Sequence, residues 1–246
     1  AASITTNQFR AAPTYVTEKV VADGNAQTII ANSGNANCAT GAQGLRDAWQ
    51  MAEEAGRATG VEGTEVIVCS TGRIGVPLPM HRIVPAIATL GGMLNRDDPD
   101  IIARAIMTTD THPKSCAVEF DVGGATCHIG GIAKGAGMIC PNMATMLCFL
   151  CCDLAIDAAL LRETLRWCVE RSFNCITVDG DMSTNDTCAV LANGAAGNAT
   201  LVYPEDAGYD NFRAALLHVT QDLARQIAFD GEGATKRVSI RVIGAE

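Results

Sequence analysis

Residues 131–147 hold the most suggestive chemistry in the chain. They read Gly131-Ile132-Ala133-Lys134-Gly135-Ala136-Gly137-Met138-Ile139-Cys140-Pro141-Asn142-Met143-Ala144-Thr145-Met146-Leu147. A glycine turn carries a lysine, a Pro-Asn turn follows, and a small residue precedes a threonine. A threonine opening an apolar strand is ordinary β-propensity. A chain cut between Ala144 and Thr145, however, exposes a threonine with both a hydroxyl and its own α-amine. That amine, with a pKa of about 7.7–8.0, can be neutral at working pH and act as base for its own hydroxyl. Such a residue performs nucleophilic catalysis without a histidine.

Other motifs fail on spacing. Lys134 is followed by glycine, so the phosphate-loop pattern is absent, as is a dinucleotide fingerprint. The segment Asp179-Gly180-Asp181-Met182-Ser183 would need glycine at its sixth position and glutamate at its twelfth to hold calcium; Thr184 and Val190 stand there. His81, His112, His128 and His218 are scattered and read as structural. Eleven cysteines read as buried free thiols of a reducing compartment. Cys148 and Cys151 have CxxC spacing, but no second pair completes a zinc site. No metal and no disulfide framework is expected.

The chain has 246 residues, 48% hydrophobic and 18% charged, which allows a sizeable core and excludes global disorder. Its net charge of −9 provides no footprint for nucleic acid or anionic lipid. No apolar run reaches the ~18 residues that span a bilayer. The first residues have neither the basic nor the apolar region of a signal peptide. The chain reads as a fragment of a longer protein.

The elements that must position this chemistry follow from periodicity. Apolar runs predict strands over 27–32, 66–69, 145–152, 175–178 and 187–191. A Gly123-Gly124 turn predicts a hairpin of 115–121 with 126–132. Helices are expected over 44–59 (Leu45, Ala48, Trp49 and Ala52 inward), 79–90 and 157–171. A further helix runs from an Asp98 cap with Pro99 to 107, and a long one spans 209–229 with Phe212, Leu216, Leu223 and Ile227 on one stripe. Residues 236–243 alternate, Val238, Ile240 and Val242 against Arg237, Ser239 and Arg241, which predicts a last strand. Interleaved helices and strands with hairpins define an α+β (mixed α/β) layered sandwich and not a doubly wound sheet.

The string from Lys134 to Leu147 resembles the self-cleavage site of the ornithine acetyltransferase (glutamate N-acetyltransferase) family of arginine biosynthesis. Further segments resemble the family in order. They are Thr5-Thr6-Asn7, Ala11-Ala12-Pro13, the loop 32–41, Cys69-Ser70-Thr71-Gly72 with Ile74 to Met80, Ile106-Met107-Thr108-Thr109-Asp110, Val178-Asp179-Gly180-Asp181, Ser183-Thr184-Asn185-Asp186 and Asp230 to Lys236. Cys140 departs from the residue common before Pro-Asn, and the family's C-terminal region has no counterpart here. The resemblance implies an α/β/β/α sandwich forming a single domain over 1–246. Self-cleavage at Ala144–Thr145 would give an α-chain over residues 1–144 and a β-chain over residues 145–246, which stay together in a heterotetramer. It implies acetyl transfer from N-acetylornithine to glutamate through acetyl-Thr145, with Thr71 and Gly72 as oxyanion donors. Thr108, Lys134, Thr145 and Glu232 are the implied substrate-binding residues, Lys134 suiting a carboxylate and Glu232 an ammonium group. No cofactor is implied beyond acetyl-CoA as a co-substrate, and the compartment is cytoplasm or mitochondrial matrix. A self-cleaving aminopeptidase or amidohydrolase with the same threonine, or an inactive truncated fragment, is the competing expectation.

Overall fold

The computed structural model describes residues 1–94, 99–140 and 146–244. The expected nucleophile Thr145, its neighbour Ala144 and the expected cap Asp98 lie outside them. In chain order the elements are β1 (Ala2–Ile4), α1 (Ala12–Val20), β2 (Thr28–Asn35), α2 (Gly41–Thr59), β3 (Val66–Arg73), α3 (Met80–Gly91) and α4 (Pro99–Ala105). They continue with β4 (Lys114–Val122), β5 (Ala125–Lys134), β6 (Leu147–Cys152), α5 (Ala158–Glu170), β7 (Thr187–Ala192) and α6 (Tyr209–Phe229).

Two sheets stack inside two helical layers. The larger has order β1-β7-β6-β5-β4 and the smaller pairs β2 with β3. The parallel pairs β2–β3 and β6–β7 each need a crossover, supplied by α2 and α5. β6 shows the layering within six residues. Cys148, Leu150 and Cys152 join Leu165 of α5 and Phe212, Leu216 and Leu223 of α6 in one core. Leu147 and Phe149, pointing the other way, join Val66, Val68 and α2's Met51 and Ala52 in the second. The result is the expected α/β/β/α sandwich. Thr17 of α1, fully buried, covers the free edge of β3: its hydroxyl donates to Val68 O at 2.7 Å and accepts from Val68 N at 3.1 Å.

The hairpin forms at Gly123-Gly124, both with positive φ (61° and 88°), as a two-residue turn of that handedness requires. Asp157 caps α5 by accepting from Ala159 N and Leu160 N. No helix among the described residues is long and apolar enough to cross a membrane.

Several expectations are corrected. Residues 175–178 form no strand; after a 3-10 turn at Phe173–Cys175, Thr177 and Val178 both donate to Ile139 O instead of to a ladder. Residues 236–243 are irregular and exposed, Ile240 by 84%, because no described strand borders them to bury the alternating face. Leu45 points outward, and α2 buries Ala48, Met51, Ala52 and Ala55. The helix expected to reach 107 ends at Ala105. β2 extends to Asn35, into the expected loop. All eleven cysteines are free, but Cys151 and Cys175 are exposed. Cys148 and Cys151 face opposite sides of β6, so their spacing cannot serve one metal.

Candidate active site

The C-terminal ends of β2 and β3 approach unusually closely. A Cβ on Gly72 would stand 2.3 Å from Gly34 C and 2.5 Å from Asn35 N, and its φ is +130°. Only glycine fits there. That approach leaves Thr71 buried at the strand end, where parallel strands commonly present ligand-binding groups.

β5 delivers Lys134 to the same point. Its Nζ donates to Thr71 Oγ1 at 3.2 Å and to Thr108 Oγ1 at 2.8 Å, with Asp110 Oδ2 at 4.0 Å. Lys134 is buried, and burial lowers its pKa, while the charge of Asp110 opposes that shift. With its oxygen accepting from an ammonium, the Thr71 hydroxyl can direct its own proton outward. A hydroxyl polarised in this way beside a backbone N–H suits a developing oxyanion.

A buried ion triad organises the surroundings. Lys114 Nζ donates to Asp110 Oδ1 at 2.7 Å and to Asp230 Oδ2 at 2.6 Å, and all three side chains are at most 2% exposed. Asp110 also accepts from Gly135 N at 2.6 Å and Thr108 N at 3.1 Å, fixing both the lysine turn and the Thr108 loop. Asp230 accepts from the Thr111 amide and hydroxyl at the end of α6. Burial pushes the Asp110 carboxyl up, but Lys114, the Gly135 and Thr108 amides and Lys134 outweigh it, and its pKa lies below the ordinary value. Asp230 behaves likewise, with Lys114 and Thr111 outweighing burial.

Glu232 follows directly. Its amide donates to Ala136 O at 2.7 Å, and its carboxylate lies where a Gly137 side chain would be, 2.6 Å from an ideal Cβ. A cleft opens between Thr109, Thr111 and the 229–234 turn beside it. The larger groove on α2, near Trp49 and Arg57, borders none of these residues.

The expected residues Thr71, Gly72, Thr108 and Lys134 are thus in one cluster, with Glu232 on the adjoining turn; Ala144 and Thr145 lie outside the described residues. Sequence reasoning assigned no role to Lys114, Asp110 or Asp230. Asp110 and Asp230 stood inside family-like segments, and the further signal was the four-residue spacing of Asp110 and Lys114. The histidines stay apart: His128 sits exposed beside Asp153 and Glu119, and His112 at the rim of the triad, 3.4 Å from Asp230.

Fold and cluster together define an α+β sandwich with a lysine-backed hydroxyl at paired strand ends. The profile of the ArgJ family matches residues 1–246, and this chain belongs to that family. It is 53% identical over 241 residues to the arginine biosynthesis bifunctional protein ArgJ of Symbiobacterium thermophilum, covering 98% of this chain and 60% of that protein. It is 44% identical over 248 residues to the glutamate N-acetyltransferase of Methanothermobacter thermautotrophicus, covering all of this chain and 60% of that one. Among solved structures it resembles the ornithine acetyltransferase of Mycobacterium tuberculosis complexed with ornithine, at 36% identity and TM-score 0.51, over 57% of this chain and 76% of that one. The chain spans about 60% of the length of these curated relatives.

Proposed function

We propose that this protein is an N-terminal-nucleophile acetyltransferase of arginine biosynthesis, moving an acetyl group from N-acetylornithine to glutamate. In this reading the Ala144–Thr145 bond is cut by the protein itself. The Thr145 hydroxyl then attacks the acetyl amide carbonyl, assisted by its own α-amine, and holds the acetyl group as an ester. Ornithine leaves with the proton, and the glutamate amine takes the acetyl group in the second half-reaction. Thr71 and the Gly72 amide stabilise the oxyanion, an effect of ~3 kcal/mol for one such donor. Lys134 and Thr108 bind the substrate carboxylate, and Glu232 the side-chain ammonium of ornithine.

The observation that carries this reading is the placement of Lys134. It touches the Thr71 and Thr108 hydroxyls, and its strand pairs with β6 so that Lys134 is opposite Leu147, two residues after Thr145. The same ladder supports the two cleaved chains staying joined. β5 of 1–144 pairs with β6 of 145–246, and β1 pairs with β7. A tetramer of two such pairs, acetyl-CoA as an additional donor and a cytoplasmic location complete the proposal.

The test uses isotopically labelled N-acetylornithine. Label trapped on the peptide that begins with Thr145, and released as N-acetylglutamate when glutamate is added, is the expected result. Label released only as acetate identifies a hydrolase and overturns the transferase.

A further inference from the structure

The loop 179–186, which the calcium pattern did not fit, grips both flanks of the expected cleavage segment. Upstream, Asp179 accepts from Met138 N at 2.5 Å and Ile139 N at 2.9 Å. Downstream, Asp186 Oδ1 accepts from Met146 N at 2.9 Å. The loop itself is immobilised. Asn185 Nδ2 donates to Ala36 O at 2.6 Å and Ser70 O at 2.8 Å, bridging the ends of β2 and β3 beside Thr71. Thr5 N donates to Asp186 O at 3.0 Å, and the Thr5 hydroxyl donates to Ser183 O at 2.8 Å.

Asp186 is the unusual member. It is 0% exposed, and its second oxygen, Oδ2, is buried with no hydrogen-bond partner among the described residues. A buried polar atom left unpaired is costly, and folded proteins rarely keep one without a use. Burial pushes its carboxyl well above the ordinary value, against the Met146 amide, Ser183 and the charge of Lys134. Burial therefore favours the neutral form of Asp186, which accepts from Met146 N through Oδ1.

Resting on the reading of Thr145 as the self-cleaving nucleophile, we infer that Asp186 is a positioning residue for that cleavage. It fixes the backbone one peptide unit after Thr145 through the Met146 amide and keeps a second polar atom free beside it. Positioning of this kind raises a rate by holding the reacting geometry, not by proton transfer. A neutral acid and an amide present the same pattern, one acceptor oxygen and one donor.

The experiment measures the rate of cleavage of newly made protein, expressed at its full encoded length, for wild type, Thr145→Ala, Asp186→Asn, Asp186→Ala and Asp186→Val. Thermal melts of each are recorded in the Thr145→Ala background. Asp186→Asn is expected to cleave close to the wild-type rate with an unchanged pH profile. Asp186→Ala, or Asp186→Val if the alanine variant does not fold, is expected to cleave about tenfold more slowly, because a buried N–H loses its acceptor. That rescue by asparagine is something a general loss of stability would not produce. Wild-type rates in both apolar variants, or loss of cleavage in a folded Asp186→Asn, overturn the role of Asp186 alone. An uncut wild type, or a Thr145→Ala protein that is still cut, overturns the nucleophile reading and this inference with it.

Discussion

Replacing Lys114 with methionine isolates the triad that holds the site together. The substitution keeps the volume of the stem and deletes the charge. Asp110 and Asp230, buried with side chains at most 2% exposed, then lose their shared counterion. Removing one partner of a buried ion pair costs about 3–5 kcal/mol, because the remaining charge is stranded. In a domain of this size each kcal/mol lowers Tm by about 2–4 °C, so a fall on the order of 10 °C is expected. The pH dependence has a definite sign. Both carboxyls have pKa values below the ordinary range in the fold. Their contribution to stability is complete above the unfolded value of about 3.9 and is lost as pH falls through the lower folded values. Acidification therefore removes from the wild type what the variant already lacks, and protonation relieves the stranded carboxylates of the variant. The gap in Tm is largest near neutral pH and narrows as pH falls through about 4 and below. Calorimetry or circular dichroism melts across that range measure it. A Tm unchanged at neutral pH, or a gap that widens on acidification, would refute the reasoning.

Lys134→Met should separate activity from stability. It removes the ammonium that contacts Thr71 and Thr108, so kcat/KM is expected to fall about 100-fold or more. Its nearest carboxylate is 4.0 Å away, so Tm should move little, as measured by melts beside steady-state assays. Gly72→Ala forces a Cβ to within 2.3 Å of Gly34 C at a φ of +130°; a loss of about 3 kcal/mol or more by denaturant titration is expected, with the site disrupted. Thiol titration of the native protein should show Cys151 and Cys175 reacting first and Cys116 and Cys140 more slowly. The seven buried thiols, among them Cys69, Cys152 and Cys168 pushed up to about 12 by burial, should react only on unfolding.

The elements legible in the sequence are those that bury one face of their own. The stripe Phe212, Leu216, Leu223 and Ile227 predicted α6 over the residues it occupies, and all four are buried. The Gly123-Gly124 turn predicted the hairpin, because only residues tolerant of positive φ close it. Elements defined by their partners were not legible. β1 is three residues long and exists by pairing with β7. Residues 236–243 have the period of a strand without a described neighbour, and period alone does not supply hydrogen bonds. Within the site, Thr71, Gly72, Thr108, Lys134 and Glu232 came from resemblance, and the fold gathers them. Lys114, Asp230 and Asp186 left no periodic trace: a charged residue reads as surface until tertiary structure shows it buried and paired.

The central claim is that Thr145 is an N-terminal nucleophile made by self-cleavage. The most direct test is the intact mass of freshly purified protein under denaturing conditions, beside a Thr145→Ala variant. The account predicts two pieces in the wild type, one ending at Ala144 and one beginning at Thr145, and an intact variant. An uncut wild type, a cut at another bond, or a variant cleaved like the wild type would contradict it.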